Sequence, residues 1–469
     1  MKVPTPRFVV AWAMSWAIAL TALIPVVNYI TPLLNLKYNN VWTPDIYWRL
    51  VLYWHGAIFI PLITVLAVLM GSIFGLYDLK GLSSTLIRDA ILIGGIIAPP
   101  LAGVAGIFDV YDRFAFGIPL WLQITAFLIG DEMAIALIVA FISKIKSSKG
   151  SRLNSLVSAF MAYAVFLTLI SAIMGHIAGW ITWFGPWPSF VYSYINQTMA
   201  PLGLNGTTAV ITFAENVVTS HSHLMLPVIM AGIVVMMATV YGFTSSWQSR
   251  EKKLAIVGIA IMIAAMLAAT VIYIISGVGN YVIPTLFSSG PNDINGLAMD
   301  DAITGTIGWG ALLVLIALWL HKKKDITRDP LFLSVVVAPI LIYLTIPVTG
   351  YWIEFHETFY GAAGTLPNAP GAAFDAAYTR FHQDFAFFLL PSLVTAILAF
   401  EIYNISGKTR NVIGYLFLSG EIIAFICGWL YAMAFLSFPF IVGAAFGVAL
   451  ILAGGIIGTA HLYKLNKTQ

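Results

Sequence analysis

What this chain can fold into is limited first by its long uncharged runs. Twelve stretches of about twenty apolar residues follow one another, near 8–30, 50–76, 87–107, 117–143, 154–180, 222–245, 254–284, 301–320, 331–352, 382–403, 411–436 and 438–463. Each can cross a hydrocarbon core about 30 Å thick as a helix. Over the whole chain 60% of residues are hydrophobic and 9% charged, against roughly a quarter charged in a soluble domain. No soluble core buries that much apolar surface, so lipid must cover it. The expected fold is all-α: one polytopic integral membrane domain over 1–469, with twelve transmembrane helices. The first run is too long for a signal-peptide core and no small-residue cleavage site follows it, so it reads as the first span. The single cysteine, Cys427, excludes a disulfide framework or a thiolate metal cage. No nucleic-acid partner is expected.

The basic residues fix an orientation. With the N-terminus inside, 19 of the 23 Lys and Arg residues fall in cytoplasmic segments, and only Lys37, Arg49, Arg113 and Arg380 fall outside. A wrong span count would scramble that asymmetry. The expectation is a multi-pass protein of the cell membrane with both termini cytoplasmic. The outer segments are acidic instead, with Asp109, Asp112, Asp293, Asp300, Asp301, Glu354 and Glu357. The outer loop of about 181–220 holds Trp183, Trp187, Tyr192 and Tyr194, and two glycosylation-type triplets, Asn196-Gln197-Thr198 and Asn205-Gly206-Thr207.

Three spans share a histidine at their outer start. Span 2 opens Trp54-His55-Gly56 and reaches Pro61 and Tyr77. Span 6 opens His221-Ser222-His223 and reaches Pro227 and Tyr241. Span 10 opens Arg380-Phe381-His382 and reaches Pro391 and Tyr403. His55 and His221 are 166 positions apart, and His221 and His382 are 161 apart, with four spans in each interval. Such self-similarity signals a repeated unit, here four helices occurring three times, at about 8–143, 154–320 and 331–463.

An ionisable group in a membrane helix is costly and points to function. Coordination of haem iron satisfies a neutral imidazole. Taken singly, a helix-start histidine is equally well an interfacial residue bonded to water or to a loop carbonyl; three at equivalent places favour ligands. Of the eight histidines, His321 and His461 lie at cytoplasmic helix ends beside basic residues, where a structural role suffices. His55, His176, His221, His223, His356 and His382 all fall towards the outer side. His221 and His223 are about 200° apart around a helix, so both cannot face one haem.

On these residues the chain resembles subunit I of the heme-copper oxidases: twelve spans, both ends inside, and histidines on spans 2, 6 and 10. Its overall character is similar to the hydrophobic membrane component of the archaeal cytochrome b558/566. The resemblance implies three four-helix arcs and a b-type haem held by His55 and His382, which match the low-spin pair of that family. The copper site does not carry over. Arg380 stands where the high-spin haem ligand is expected, Lys253–Pro284 contains no histidine, and span 6 lacks the mid-helix His and Tyr. Four-electron oxygen reduction then has no metal site. What the resemblance implies is a cytochrome subunit passing electrons between the quinol pool and an extracytoplasmic haem-bearing partner. Whether it oxidises quinol by itself is open.

A second haem is expected among His176, His221, His223 and His356, with a His176–His223 sandwich between spans 5 and 6 as one arrangement. His356, in Glu354-Phe355-His356-Glu357, is equally well a loop residue in a charged cluster. Asp131 and Glu132, near the middle of span 4, would line a proton path to a quinone site. For Glu421 in span 11, a helix–helix hydrogen bond by a protonated acid is the simpler reading. Two other classes compete: a divergent oxidase or nitric oxide reductase, and a haem-free transporter with broken spans such as the one at Ala98-Pro99-Pro100.

Overall fold

The computed structural model describes residues 3–38, 53–79, 82–111, 118–147, 151–183, 188–200, 203–274, 294–322, 328–342, 344, 389–433 and 438–467. Those residues form thirteen α-helices and no strand. In chain order they are α1 (Pro6–Tyr38), α2 (Ile60–Ile73), α3 (Leu82–Tyr111), α4 (Ile118–Ser147), α5 (Arg152–Trp183) and α6 (Ser189–Met199). Then come α7 (Gly206–Val240), α8 (Ser249–Ile274), α9 (Ile294–Lys322), α10 (Pro330–Ile342), α11 (Leu390–Ile402), α12 (Gly407–Met433) and α13 (Phe438–Lys467). Ten candidate spans are long and apolar enough to cross a membrane, and α10 and α11 are shorter apolar helices. The short helix α6 lies in the outer loop read from the sequence.

Burial divides the helices into two kinds. In the windows His55–Ile73 and Ser220–Val240, 83% of residues are buried, against 22–56% in the other eight candidate spans. These two windows and α11, also largely buried, belong to the spans that carry the repeated histidines, and α2, α7 and α11 touch one another. Of the other helices, α10 is largely buried as well, while the eight remaining candidate spans turn apolar side chains such as Trp121, Leu128, Ile135, Val271 and Phe446 outward. A helix that is apolar on its outer face is one built for lipid. Each inner helix is followed by a tightly packed antiparallel hairpin: α3/α4, α8/α9 and α12/α13. Backbones close up where small residues meet; a Cβ on Gly310 would stand 2.6 Å from the carbonyl oxygen of Gly258.

The inner helices also end alike. Phe74, Tyr241 and Tyr403 occupy the C-cap, and Gly75 (φ 57°), Gly242 (φ 90°) and Asn404 (φ 56°) follow in the left-handed region. The next residue, Leu76, Phe243 or Ile405, is buried in each case. Phe243 N–H donates to Ala238 O at 2.9 Å and Ile405 N–H to Phe400 O at 3.0 Å, closing the last turn in the manner of a Schellman motif. Glycine is favoured there because a Cβ is strained at positive φ, and asparagine is among the few side chains that tolerate it.

Proline leaves its mark in two places. Pro61 has no N–H, and the turn before it widens to a π-helix over His55–Phe59, where Ile60 N–H reaches His55 O. Pro99 and Pro100 do not break their span, because α3 runs through them without interruption. The carbonyl that Pro100 leaves without a helical donor is that of Ile96, and Trp12 Nε1–H of α1 donates to it at 3.0 Å. This span is therefore not discontinuous, and that motive for a transporter reading falls away. The outer loop of 181–220 differs from expectation too: α7 starts at Gly206, fourteen residues before its apolar window begins at Ser220.

At the opposite end from α6, a charged cluster ties three elements together. Arg410 of α12 donates to Asp329 Oδ2 at 2.6 Å and also to Glu401 of α11. Asp329 Oδ1 caps α10 by accepting Leu331 N–H and Phe332 N–H, each at 3.2 Å. His321 faces Glu251 at 3.4 Å and lies on Trp247.

Gly75 has space for a side chain, its added Cβ meeting nothing closer than Asp78 Oδ2 at 3.6 Å. Gly75→Ala is therefore expected to cost about 1 kcal/mol through backbone strain alone, while Asn404→Gly costs nothing. Thermal unfolding in detergent, followed through exposure of the single thiol of Cys427, measures both.

Candidate functional site

Three of the six histidines that the sequence groups on one side converge. His55 from the π turn before α2, His176 from α5 and His221 from α7 line one cavity of about 350 Å³, together with Asp131 of α4. That volume lies within the range of small-molecule sites, about 300–1,000 Å³. Apart from Thr168 the walls are otherwise apolar, with Phe59, Ile60, Phe127 and Met225 among them, and Gly130, Gly175 and Gly179 add no side chain. Leu128 (57% exposed) and Trp180 (45% exposed) also line the cavity, so it opens between α4 and α5 onto the apolar outer surface.

Ring packing orders the imidazoles. The His55 and His221 ring centres lie 6.4 Å apart with planes inclined by 20°. Phe127 meets His55 edge to face at 5.7 Å, and Phe127 in turn stacks on His176 at 5.7 Å. Phe127 therefore neighbours both His55 and His176, and the histidine that pairs with His55 among the described residues is His221.

The backbone of α5 sets the His221 ring. Its Nδ1 lies 2.6 Å from the carbonyl oxygen of Ser171. A carbonyl only accepts, so Nδ1 carries the proton and Nε2 of the neutral ring keeps a lone pair. Ser171 Oγ–H donates in turn to His221 O at 2.6 Å, a second clamp between α5 and α7. One turn further along α5, Gly175 leaves the room the ring needs: an added Cβ would stand 2.9 Å from His221 Cε1. Ligating histidines are commonly oriented in this way, with the non-ligating N–H held by a carbonyl.

His176 pairs differently. Its Nδ1 lies 3.5 Å from Asp131 Oδ2, which joins α5 to α4 at the cavity's edge. Glu132, one residue further on, is exposed and takes no part in the cavity. His223 lies on another face, its ring centre 6.5 Å from that of Tyr273 in α8. The expected separation of His221 from His223 thus holds, while the expected His176–His223 sandwich is not what these residues form: it is His221 that shares the cavity with His176. His356 and His382 lie outside the described residues. Glu421 is fully buried with Ser334 close by, without a hydrogen bond of good geometry between them.

Among the described residues no three of His, Cys, Asp or Glu converge closely enough to chelate a metal ion. Metal–imidazole bonds are about 2.0–2.1 Å long, so two rings on opposite sides of one metal have centres about 6 Å apart; the His55 and His221 centres are 6.4 Å apart. Sequence reasoning found the histidines but missed Ser171 and Gly175. A glycine inside a helical run, four residues after a serine, was the available signal. No family model matches this chain, and neither a curated protein nor a solved structure does.

Gly130 and Gly175 both line the cavity, but a Cβ at Gly130 meets only Ile60 Cδ1 at 3.9 Å. Gly130→Ala is expected to stabilise its helix by up to about 1 kcal/mol. Gly175→Ala should forfeit that gain and cost about 1–3 kcal/mol through crowding of His221. Thermal denaturation of the two variants side by side checks the difference.

Proposed function

We propose that this chain is a membrane b-type cytochrome subunit. It carries electrons between the quinol pool and an extracytoplasmic haem-bearing partner, and does not reduce oxygen. The observation that carries the reading is the His55–His221 pair, spaced for one shared metal, with the proton of His221 fixed on Nδ1 by the Ser171 carbonyl. His55 and His221 would be the axial ligands; a haem held by two imidazoles supplies one-electron transfer with no open position for oxygen. Phe59, Phe127, Ile60 and Met225 keep water from the site. The ligand pair implied by the resemblance is His55 with His382, so His55 belongs to both assignments.

The gap between Leu128 and Trp180 supports a lipid-soluble substrate that arrives from the bilayer. Beside it, His176 and Asp131 form an acid–base pair able to accept a hydroxyl proton from a quinol. The topology completes the proposal: twelve spans in three four-helix groups, both termini cytoplasmic, and the α6 end outside. It rests on the sidedness of the basic residues and on the three alike inner helices.

Reduced-minus-oxidised spectra of the purified protein test the assignment. Wild type and His223→Ala are expected to show a b-type band, and His55→Ala and His221→Ala to lose it. A band that survives in His221→Ala but vanishes in His382→Ala would move the ligand to span 10. No band in the wild type would end the haem reading, and carbon monoxide binding by the reduced protein would favour an oxidase-like site.

A further inference from the structure

The two Asn-X-Thr triplets of the outer loop have different fates in the fold. Asn196 lies inside α6, and its side-chain Oδ1 accepts Gly206 N–H at 2.8 Å, which holds α6 to the start of α7. The hydroxyl residue of that triplet, Thr198, is only 4% exposed. A substituent on Asn196 would disturb the α6–α7 contact, and an enzyme could not reach both ends of the motif.

Asn205 is the opposite case. It sits in extended conformation, φ −149° and ψ 167°, just before α7, and its side chain makes no capping hydrogen bond. Asn205, Gly206 and Thr207 are all exposed. Gly206, at φ 57°, redirects the chain between Asn205 and Thr207, the second residue of α7. Height adds to the access. The fourteen residues of α7 that precede its apolar window rise about 21 Å at 1.5 Å per residue, which lifts Asn205 clear of the hydrocarbon.

We propose that Asn205, and not Asn196, is the acceptor of an N-linked glycan. A bond forms between Asn205 Nδ2 and C1 of the first sugar. The bond from that carbon to a phosphate oxygen of a lipid-linked donor breaks, and the amide proton leaves to a base; nothing is oxidised or reduced. A bulky, hydrated chain at this point would mark the outer face beside α6. The inference rests on the orientation proposed above and is independent of the haem.

Glycopeptide mass spectrometry of the protein from its own membranes is the test. The peptide containing Asn205 is expected to carry saccharide and the peptide containing Asn196 to be bare; Asn205→Gln should abolish the mobility shift on a gel and Asn196→Gln leave it. A bare Asn205, or sugar on Asn196, overturns the proposal. Ser193→Cys, on the exposed side of α6, in a Cys427→Ala background separates the causes. Labelling of intact cells by a membrane-impermeant maleimide, together with a bare Asn205, overturns the glycan alone. No labelling overturns the orientation and the glycan with it.

Discussion

Within a bilayer the chain has no water to answer its polar groups, and that constraint governs this structure down to single carbonyls. Where Pro100 removes a donor, the indole of Trp12 supplies one to Ile96. Where the inner helices stop, left-handed residues fold the last turn back on itself. Where charge is needed to pin α10, α11 and α12 at one end, Arg410 gathers Asp329 and Glu401 into one cluster. The same rule makes the cavity conspicuous. Polar groups are sparse among the apolar helices, yet three imidazoles and a carboxyl line one pocket between α2, α4, α5 and α7.

Those groups are not placed alike. His221 is held from behind by a backbone carbonyl, which turns a flexible ring into an oriented donor. His176 is held by a carboxylate at the rim, nearer the gap that faces lipid. Phe127 packs against the rings of both His55 and His176, so the cavity holds two pairs, His55 with His221 and His176 with Asp131. Among the described residues no third His, Cys, Asp or Glu joins the His55–His221 pair to complete a chelate for a bare metal ion.

Much of the fold was legible because hydropathy responds to the property that lipid selects. The apolar runs coincide with ten candidate spans among the described residues, and the spans read from His55, His221 and His382 are among the most buried. The apolar-window logic misses helix that stands in water, which is why α7 starts at Gly206 rather than near Ser222. Proline reads as a breaker in sequence, but the partner that heals Pro100 is 84 residues away from the carbonyl it caps. The site was legible in its residue types and not in its pairing. Whether His221 or His223 faces the cavity depends on the rotation of α7, and the choice of Ser171 as anchor depends on the register of α5 against it. Neither quantity is written in a single helix. Glu132 shows the same limit: beside Asp131 in sequence, it lies on a different face.

The central claim is that one cofactor lies between His55 and His221. An experimental density map of the protein purified from its own membranes tests it most directly. The account predicts a flat macrocycle in the cavity bounded by α2, α4, α5 and α7, with metal density bridging the two imidazoles and Ser171 behind the second. A cavity filled by lipid or water, with those two rings bound to nothing in common, would contradict it.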